Sequence, residues 1–256
     1  DSAQRFLSEN YDHSARHGDT GDGGPWQDDM WGRFAELGWL ALPFAEEDGG
    51  LGAGMVEISI LAEAFGRNLV TEPYMTTVVL CGSLVAAIGT PDQRAEILPA
   101  IGEGTLRLAF MGGASGEPSL EATKNGDGYI LSGARKSVID APMAGRLLVP
   151  ARLGGTTSVF VLDCDAPGVT IRRHRTIAGG HAADVELTGA EAPRAALLGG
   201  LEDAAEAIEA AVDHVIAALS ADAVGAIAKL VGATVEYTKT REQFGRPIAK
   251  FQVLAH

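Results

Sequence analysis

Residue types that could do chemistry occur at a few separate places in this chain. Arg172-Arg173-His174-Arg175 is a basic cluster that could contact phosphate groups or could be a solvated strand end. The glycine-rich stretch 50–54 precedes a helical pattern, but its spacing does not fit the dinucleotide-binding pattern. Cys81 and Cys164 lie far apart and are expected to be small buried side chains, with neither a disulfide nor a metal site.

The composition is that of an acidic globular protein. The 256 residues include 20 Lys and Arg against 34 Asp and Glu, a formal net charge of −14. This charge opposes binding to phosphate backbones through the overall field, so no nucleic-acid partner is predicted. We identify no apolar stretch of membrane-spanning length and no signal segment, which predicts a cytoplasmic protein without membrane contact. The length suits one or two domains.

The elements that must position any site fall into three zones. Residues 1–104 show helical apolar stripes within 26–40, 55–65 and 78–88, then a fourth helix that begins at Pro91 after Thr90. Residues 105–200 alternate short Val-, Ile- and Leu-rich runs with turn signals, which predicts an antiparallel barrel or sandwich. The predicted strand runs are 106–111, 129–132, 146–151, 157–163, 169–173 and 183–187.

The third zone, residues 201–256, returns to helix. One long pattern covers 205–241, either alone or after a short separate helix around 204–211. Arg246-Pro247 marks a break, and a new helix is predicted to begin near Ile248. The sequence therefore predicts helices, then a small β domain, then helices again.

The most specific string lies at the end of the long helical pattern. Arg241-Glu242-Gln243-Phe244-Gly245-Arg246-Pro247-Ile248, followed by Phe251-Gln252, resembles the R-x-Q-F-G-x-P-I…F-Q signature of the acyl-CoA dehydrogenase family. Segments 37–52, 63–67 and 129–135 resemble the same family in the same order. The resemblance covers nearly the whole chain without a large insertion.

The resemblance implies an α+β fold with an N-terminal helical domain (1–104), a middle antiparallel β-barrel domain (105–200) and the beginning of a C-terminal four-helix bundle (201–256). Because the family's bundle extends further than this, we expect the chain to be a fragment. In the family, FAD lies between the β domain and the C-terminal helices, and a neighbouring subunit completes the site.

The activity that the resemblance implies is that of a flavoprotein oxidoreductase in fatty acid or lipid metabolism. Its substrate would be an acyl-CoA thioester, and its cofactor would be FAD. An electron-transfer flavoprotein or a similar acceptor would take the electrons. The assembly would be a homo- or hetero-oligomer, a dimer or a tetramer.

Three residues of the signature are implied to bind the cofactor. Arg241 matches the family arginine that reaches the FAD phosphates across the dimer, a task that suits its fixed charged fork. A surface arginine near a helix C-terminus would have the same local pattern. Phe244 and Gln252 match further FAD contacts, and Phe244 could also be a core aromatic. The other expected cofactor-binding residues come from two strand ends and are Met111, Gly112, Gly113, Ser137, Val138 and Ile139.

Both strand ends depart from the family pattern. Residues 112–114 stand where the family has a Thr/Ser-Glu-Pro turn, so a hydroxyl contact is lost, although glycine lets backbone amides approach a flavin closely. Ser137 and Ile139 stand where the family has an aromatic residue and a threonine beside the flavin ring. A literal Thr71-Glu72-Pro73 falls between helices of the first zone and is not expected to bind flavin.

No catalytic residue is identified in the sequence. The family's helix-borne glutamate would fall at Val215, 26 residues before the signature arginine. Asp213 is rotated from that position by about 200°, Glu209 lies nearly two turns earlier, and His214 is the remaining titratable group nearby. The base is therefore expected beyond the last residue, on a partner subunit, or nowhere.

Three functions stay open at this point. The altered strand ends favour a subunit of a heteromeric FAD-dependent dehydrogenase. A non-catalytic structural partner with a degenerate flavin site is the main alternative, and oxidase or monooxygenase chemistry is a third. The small residues Ala217, Ala218, Ala221 and Gly225 could leave room for a bulky acyl chain or could ease helix packing.

Overall fold

The computed structural model describes residues 2–11, 28–112, 119–176 and 180–255. The expected helix start at Trp26 and the predicted site residue Gly113 lie outside these ranges. Helices, sheet and helices follow one another in the predicted order. The first part contains α1 (Ser2–Asn10), α2 (Asp28–Glu36), α3 (Met55–Asn68), a π-helix (Met75–Gly82), α4 (Ser83–Ile88) and α5 (Pro91–Gly102).

The start of α5 follows the predicted capping pattern. The Thr90 hydroxyl accepts the Gln93 N–H at 3.2 Å, and the Gln93 side-chain oxygen accepts the Thr90 N–H at 3.0 Å. Pro91 occupies the first helical position. The Gln93 amide also donates to the carbonyl oxygens of Ala195 and Leu197. The Gln93 side chain thus caps α5 and also binds the segment that follows the sheet.

The third predicted helix begins earlier than expected and is of two kinds. Its first part is the π-helix, and α4 continues from Ser83. Thr71-Glu72-Pro73 lies before it, between helices, as predicted. The spacing of apolar residues predicts a helix here but does not distinguish π from α pairing. π-Helical turns are rare and frequently occur at functional sites.

The middle of the chain forms a seven-stranded sheet within the described residues. Its strands are β1 (Leu108–Phe110), β2 (Leu120–Asn125), β3 (Gly128–Ile139), β4 (Arg146–Leu153), β5 (Thr156–Asp163), β6 (Val169–Arg175) and β7 (His181–Ala192). Their order is β1-β4-β2-β3-β7-β6, and β5 also pairs with β4.

The prediction of a purely antiparallel barrel is wrong, because the sheet is mixed. Strands β1 and β2 both run parallel to β4, whereas the other pairs are antiparallel. Strand β2 is not among the predicted runs, because Glu121, Thr123 and Lys124 leave it few apolar residues. Local sequence predicts where a strand lies, but the direction of pairing depends on connections that run far along the chain.

Two 3₁₀ turns (Arg194–Ala196 and Leu198–Gly200) follow the sheet, and then a single helix, α6 (Ala205–Thr240), which includes residues 205–211. It leads into a hairpin of β8 (Glu242–Gln243) and β9 (Arg246–Pro247), a 3₁₀ turn (Ile248–Lys250) and α7 (Gln252–Ala255). Contrary to the sequence analysis, α6 is long and apolar enough to cross a membrane by length and composition alone. A core helix of a soluble protein meets the same criterion, so this is weak evidence for a membrane.

The helical part has an aromatic core. Trp31, Phe34, Phe65 and Tyr74 are each no more than 2% exposed. The ring centroids of Phe34 and Phe65 lie 5.3 Å apart, and those of Phe65 and Tyr74 lie 5.1 Å apart in an edge-to-face arrangement. These contacts fix α3 and the segment entering the π-helix relative to each other.

Helices α3 and α6 cross with their backbones in contact. A Cβ on Gly66 would overlap the carbonyl oxygen of Asp222, and a Cβ on Gly225 would overlap the carbonyl oxygen of Glu63. Each helix therefore presents a glycine to the other backbone. Gly225 and Ala218 are buried at this side of α6, which supports the packing interpretation of its small residues.

Candidate functional site

A β-bulge interrupts β3 near its end. The register with β7 shifts between Arg135 and Val138, and Ser137 adopts a left-handed φ of 51°. Asp184 on β7 stabilises this backbone, because its carboxylate pairs with the Lys136 ammonium and accepts the Ser137 N–H at 3.2 Å. These two contacts, the first being the larger, lower the pKa of Asp184 from its ordinary value.

The Ser137 side chain is exposed and has a histidine neighbour. Its hydroxyl lies 3.3 Å from Nε2 of His174 on β6. His174 belongs to the basic cluster of the sequence, where Arg172 pairs with Glu186 at 3.4 Å and Arg173 is exposed. The cluster thus has the form of a solvated strand end, with one histidine turned to the bulge.

The two residues after Ser137 face opposite sides of the sheet, as strand geometry requires. Val138 is 4% exposed and packs in the sheet core, whereas Ile139 is 52% exposed. The exposed side of this strand end therefore combines an apolar side chain with a hydroxyl.

The next residue, Asp140, is a buried carboxylic acid. It has a left-handed φ of 60° and is 9% exposed. Its carboxylate accepts the Thr76 hydroxyl at 2.7 Å, and its N–H donates to the carbonyl oxygen of His181 at 3.0 Å. Burial raises the pKa of Asp140 to about 6, although the Thr76 hydrogen bond acts in the opposite direction. Burial and the charge of Asp140 together raise the pKa of the Cys81 thiol.

The start of β1 is fixed by the neighbouring threonine, Thr77. The Thr77 hydroxyl donates to the Leu108 carbonyl oxygen at 2.9 Å and accepts the Leu108 N–H at 3.2 Å. Met111 is fully buried, and its N–H donates to the carbonyl oxygen of Leu148 at 2.8 Å, so the sheet uses this donor. Gly112 follows, at a point where a Cβ would overlap the Phe110 ring.

The signature string forms a tight, exposed hairpin. Phe244 and Gly245 occupy its turn with φ of 56° and 76°, which is the geometry of a type I′ turn. The hairpin is closed by the Ile248 N–H, which donates to the Arg241 carbonyl oxygen at 2.8 Å. The Arg246 guanidinium lies 4.2 Å from the Phe251 ring centroid. The alternative of a core aromatic at Phe244 does not hold here, because this side chain is 92% exposed.

The predicted cofactor residues therefore form two groups in this chain. The π-helix contacts the start of β1 and the residue after β3 through adjacent threonines. Arg241 and Gln252 are exposed like Phe244. Across the described ranges, no hydrogen bond or ion pair joins these three side chains to the strand ends.

The positions considered for a base do not form a site. Val215 is half-buried and packs on the helical core, while Glu209, Asp213 and His214 are exposed. The described residues contain no cluster of histidine, cysteine and acidic side chains suited to a metal ion.

Sequence reasoning missed Asp140 and its partner Thr76. The available signal was one acidic residue between a strand and a proline-containing turn, Ile139-Asp140-Ala141-Pro142. Nothing in that signal indicates burial, which depends on the π-helix packed against the strand end.

A cleft of about 840 Å³ lies elsewhere, between α5, the β2–β3 turn and the segment after β7. Its charged side chains are mixed in sign: Asp92, Glu96, Lys124, Asp127, Arg194 and Glu202. None of the predicted cofactor residues lines it, so the cleft is separate from the strand ends.

Comparison with known proteins identifies the fold and its relatives. The family model "Acyl-CoA dehydrogenase, N-terminal domain" matches residues 1–105, and "Acyl-CoA dehydrogenase, C-terminal domain" matches residues 203–256. Acyl-CoA dehydrogenase FadE27 of Mycobacterium tuberculosis is 31% identical over 229 residues, which is 88% of this chain and 60% of that protein. The chain thus spans less than two thirds of this relative.

Two solved heteromeric structures share the fold over almost the whole chain. The ChsE4–ChsE5 complex from Mycobacterium tuberculosis superposes with a TM-score of 0.90 at 27% identity, over 99% of this chain and 69% of that one. A variant of the Tcur3481–Tcur3483 steroid ACAD gives a TM-score of 0.86 at 29% identity, over the same shares of the two chains.

Proposed function

Because this chain belongs to the acyl-CoA dehydrogenase family, we propose that it is a subunit of an FAD-dependent enzyme that dehydrogenates the Cα–Cβ bond of an acyl-CoA thioester. The observation that carries this proposal is the hairpin after α6. It keeps the signature residues and presents them outward, where a second subunit can use them.

The hairpin residues fit the phosphate end of FAD. Among the described residues, Arg241 forms no ion pair with a carboxylate, so its guanidinium can bind a phosphate bidentately. The exposed Phe244 ring at the turn provides an apolar surface next to that charge. Gln252, at the first position of α7, adds an amide donor and acceptor. We assign these three residues to the FAD held mainly by a neighbouring subunit.

The strand ends fit the flavin ring less completely. When bound, FAD accepts the two electrons that the substrate loses. The exposed Ile139 and Ser137 would lie against the ring, whereas the Phe110 ring already fills the place of a side chain at Gly112. Val138 supports them from the core, while the Met111 N–H is already bound within the sheet.

A heteromeric assembly accounts for this asymmetry. The hairpin keeps its signature residues, whereas the ends of β1 and β3 are altered. This combination suits a chain that completes the FAD site of a different subunit. The ChsE4–ChsE5 and Tcur3481–Tcur3483 structures are assemblies of this kind by name. In such an assembly the base would come from the partner or from chain beyond residue 256, because the helix position considered for it here is Val215.

The partners follow from this role. An electron-transfer flavoprotein or a similar carrier would reoxidise the enzyme, in the cytoplasm and in fatty acid or lipid metabolism. The substrate would be an acyl-CoA, and a steroid side-chain thioester is one to test, since the Tcur3481–Tcur3483 protein is named a steroid ACAD.

A second candidate is a structural partner with no flavin chemistry of its own. Gly112, Ser137 and Ile139 favour it, because they replace residues that the family resemblance places on the flavin. The two candidates differ in whether the hairpin is needed for FAD in the assembled protein.

The decisive experiment is purification of the protein alone and together with the product of a neighbouring dehydrogenase gene. A flavin spectrum that bleaches anaerobically on addition of an acyl-CoA is expected for the complex. Protein without flavin in both preparations would refute the dehydrogenase proposal.

The hairpin is tested by Arg241→Ala in the same complex. We expect at least about a tenfold loss of FAD retention, the effect of one charge-assisted phosphate contact. Lys239→Ala is the matched control, because it removes an exposed cation from the end of the same helix. Equal FAD retention in the two variants would favour the structural-partner function.

A further inference from the structure

Two adjacent threonines of the π-helix bind two strands, β3 at its end and β1 at its start. Thr76 donates to the Asp140 carboxylate at the end of β3, and Thr77 forms two hydrogen bonds with Leu108 in β1. The π-helix is therefore a common support for the two strands. The end of β3 would lie near the flavin under the proposed function, whereas Leu108 begins β1, at the opposite end from Met111 and Gly112.

Asp140, which accepts the Thr76 hydroxyl, is a buried carboxylate. Within the described residues it forms no ion pair with a cation, although it is buried. Its neighbours are Thr76 and Cys81 from the π-helix and His181, a further titratable residue at the start of β7, whose carbonyl oxygen accepts the Asp140 N–H. The 3₁₀ turn that follows, Ala141–Met143, contains no charged side chain. A buried carboxylate without a cation is costly, and such groups are concentrated at functional sites.

We propose that Asp140 is a positioning residue of the flavin site: through Thr76 it holds the end of β3 against the π-helix, and it sets a negative charge beside the strand that faces the flavin ring. This inference rests on the proposed function. Asp140 follows Ile139 in the chain, and its carboxylate accepts a hydrogen bond from Thr76 in the π-helix.

The charge has a defined consequence for the redox balance. Reduction adds negative charge to the flavin, so an ionised carboxylate nearby opposes it, whereas a protonated one does not. Since burial raises the pKa of Asp140 to about 6, the carboxyl changes its charge between about pH 5 and 7. As the pH falls through this range, reduction of the flavin should therefore become easier by more than the flavin's own proton uptake accounts for.

The test uses the assembled, FAD-containing protein and its Asp140→Asn variant. Asparagine tolerates a left-handed backbone and can still accept the Thr76 hydroxyl, so only the charge is removed. The ratio of reduced to oxidised FAD is measured at fixed redox poise against a reference dye from pH 5 to 8. We expect this ratio to be about threefold to tenfold higher in the variant at pH 8 and equal in the two proteins at pH 5.

Asp127→Asn is the matched control. It removes one carboxylate from the exposed turn at the other end of β3 and should leave the ratio unchanged at every pH. Identical pH profiles for wild type and Asp140→Asn would overturn the positioning role alone. An assembled protein that binds no FAD would overturn the proposed function together with this inference.

A second pair of variants tests the support itself. Thr76→Val removes the hydroxyl that donates to the ionised carboxylate, so the pKa of Asp140 should rise. The change in the ratio of reduced to oxidised FAD that follows Asp140 should then occur at a higher pH. Thr76→Ser keeps the donor and should restore the wild-type profile. A Thr76→Val profile equal to that of wild type would contradict the role given to this hydrogen bond.

Discussion

The strand ends at the π-helix and the hairpin after α6 are both expected to contact FAD, but they are held very differently. The end of β3 is fixed by the Thr76 hydrogen bond to Asp140 and by the Asp184 contacts at the bulge, and β1 is bound at its start by Thr77. The hairpin is closed by its own backbone, and its side chains are exposed. One region is thus determined by contacts within this chain, whereas the other is shaped to be used by a second molecule.

The largest effect is expected at the crossing that carries α6. Gly225→Ala forces a Cβ into the carbonyl oxygen of Glu63, and neither backbone can move away by a rotamer change. We expect a loss of more than about 3 kcal/mol in the free energy of unfolding, measured by urea denaturation. Gly232→Ala on the same helix has open space and should instead gain about 0.5–1 kcal/mol. Equal effects would show that the two helices do not meet at backbone distance.

The charge of Asp140 gives the next largest effect. Because its folded pKa of about 6 lies above the ordinary aspartate value of 3.8, its contribution to stability is fully present below about pH 4 and is lost as the pH rises through 6. We therefore compare the free energy of unfolding of Asp140→Asn with that of wild type at two pH values. The advantage of the variant should be about 2–3 kcal/mol larger at pH 7.5 than at pH 4. A constant difference across this range would contradict burial of the ionisable group.

Thr77→Val tests the second threonine. The variant leaves the N–H and carbonyl of Leu108 buried without their partner, and we expect a loss of about 2 kcal/mol in unfolding free energy. Thr77→Ser keeps both hydrogen bonds and should lose less than half as much. Denaturant titration of the two variants side by side would decide whether the hydroxyl or the methyl group matters.

Phe244→Ser should have the smallest effect on the chain itself. The side chain is 92% exposed, so we expect a change within about 0.5 kcal/mol in unfolding free energy. In the assembled protein the same variant should reduce FAD retention, measured by flavin fluorescence after gel filtration. A large loss of stability in the isolated chain would remove the contrast between the two regions.

The sequence predicted the parts of this fold that depend on local patterns. Helical periodicity located α3 and α6, and the Thr90-Pro91 pair located the start of α5. It did not predict the parallel pairing of β1 and β2 with β4, because strand direction depends on distant connections. Nor did it reveal the π-helix, whose apolar residues fit either helix type.

The candidate site divides in the same way. The signature string marked Arg241, Phe244 and Gln252 by residue type and spacing, and their roles remain predictions. Asp140 escaped notice because a single aspartate at a strand end is ordinary until a second element covers it. Burial of this kind is a property of packing, which no local pattern in the chain records.

The crossing of α3 and α6 also determines where the far end of α6 lies. At 1.5 Å per residue, Arg241 lies about 24 Å along the helix from Gly225. A tilt of only about 5° at the glycine contact would therefore move the guanidinium by about 2 Å, most of the length of a hydrogen bond. The position at which this chain would present Arg241 to another subunit thus depends on two glycines, Gly66 and Gly225, at a helix crossing about 24 Å from that arginine.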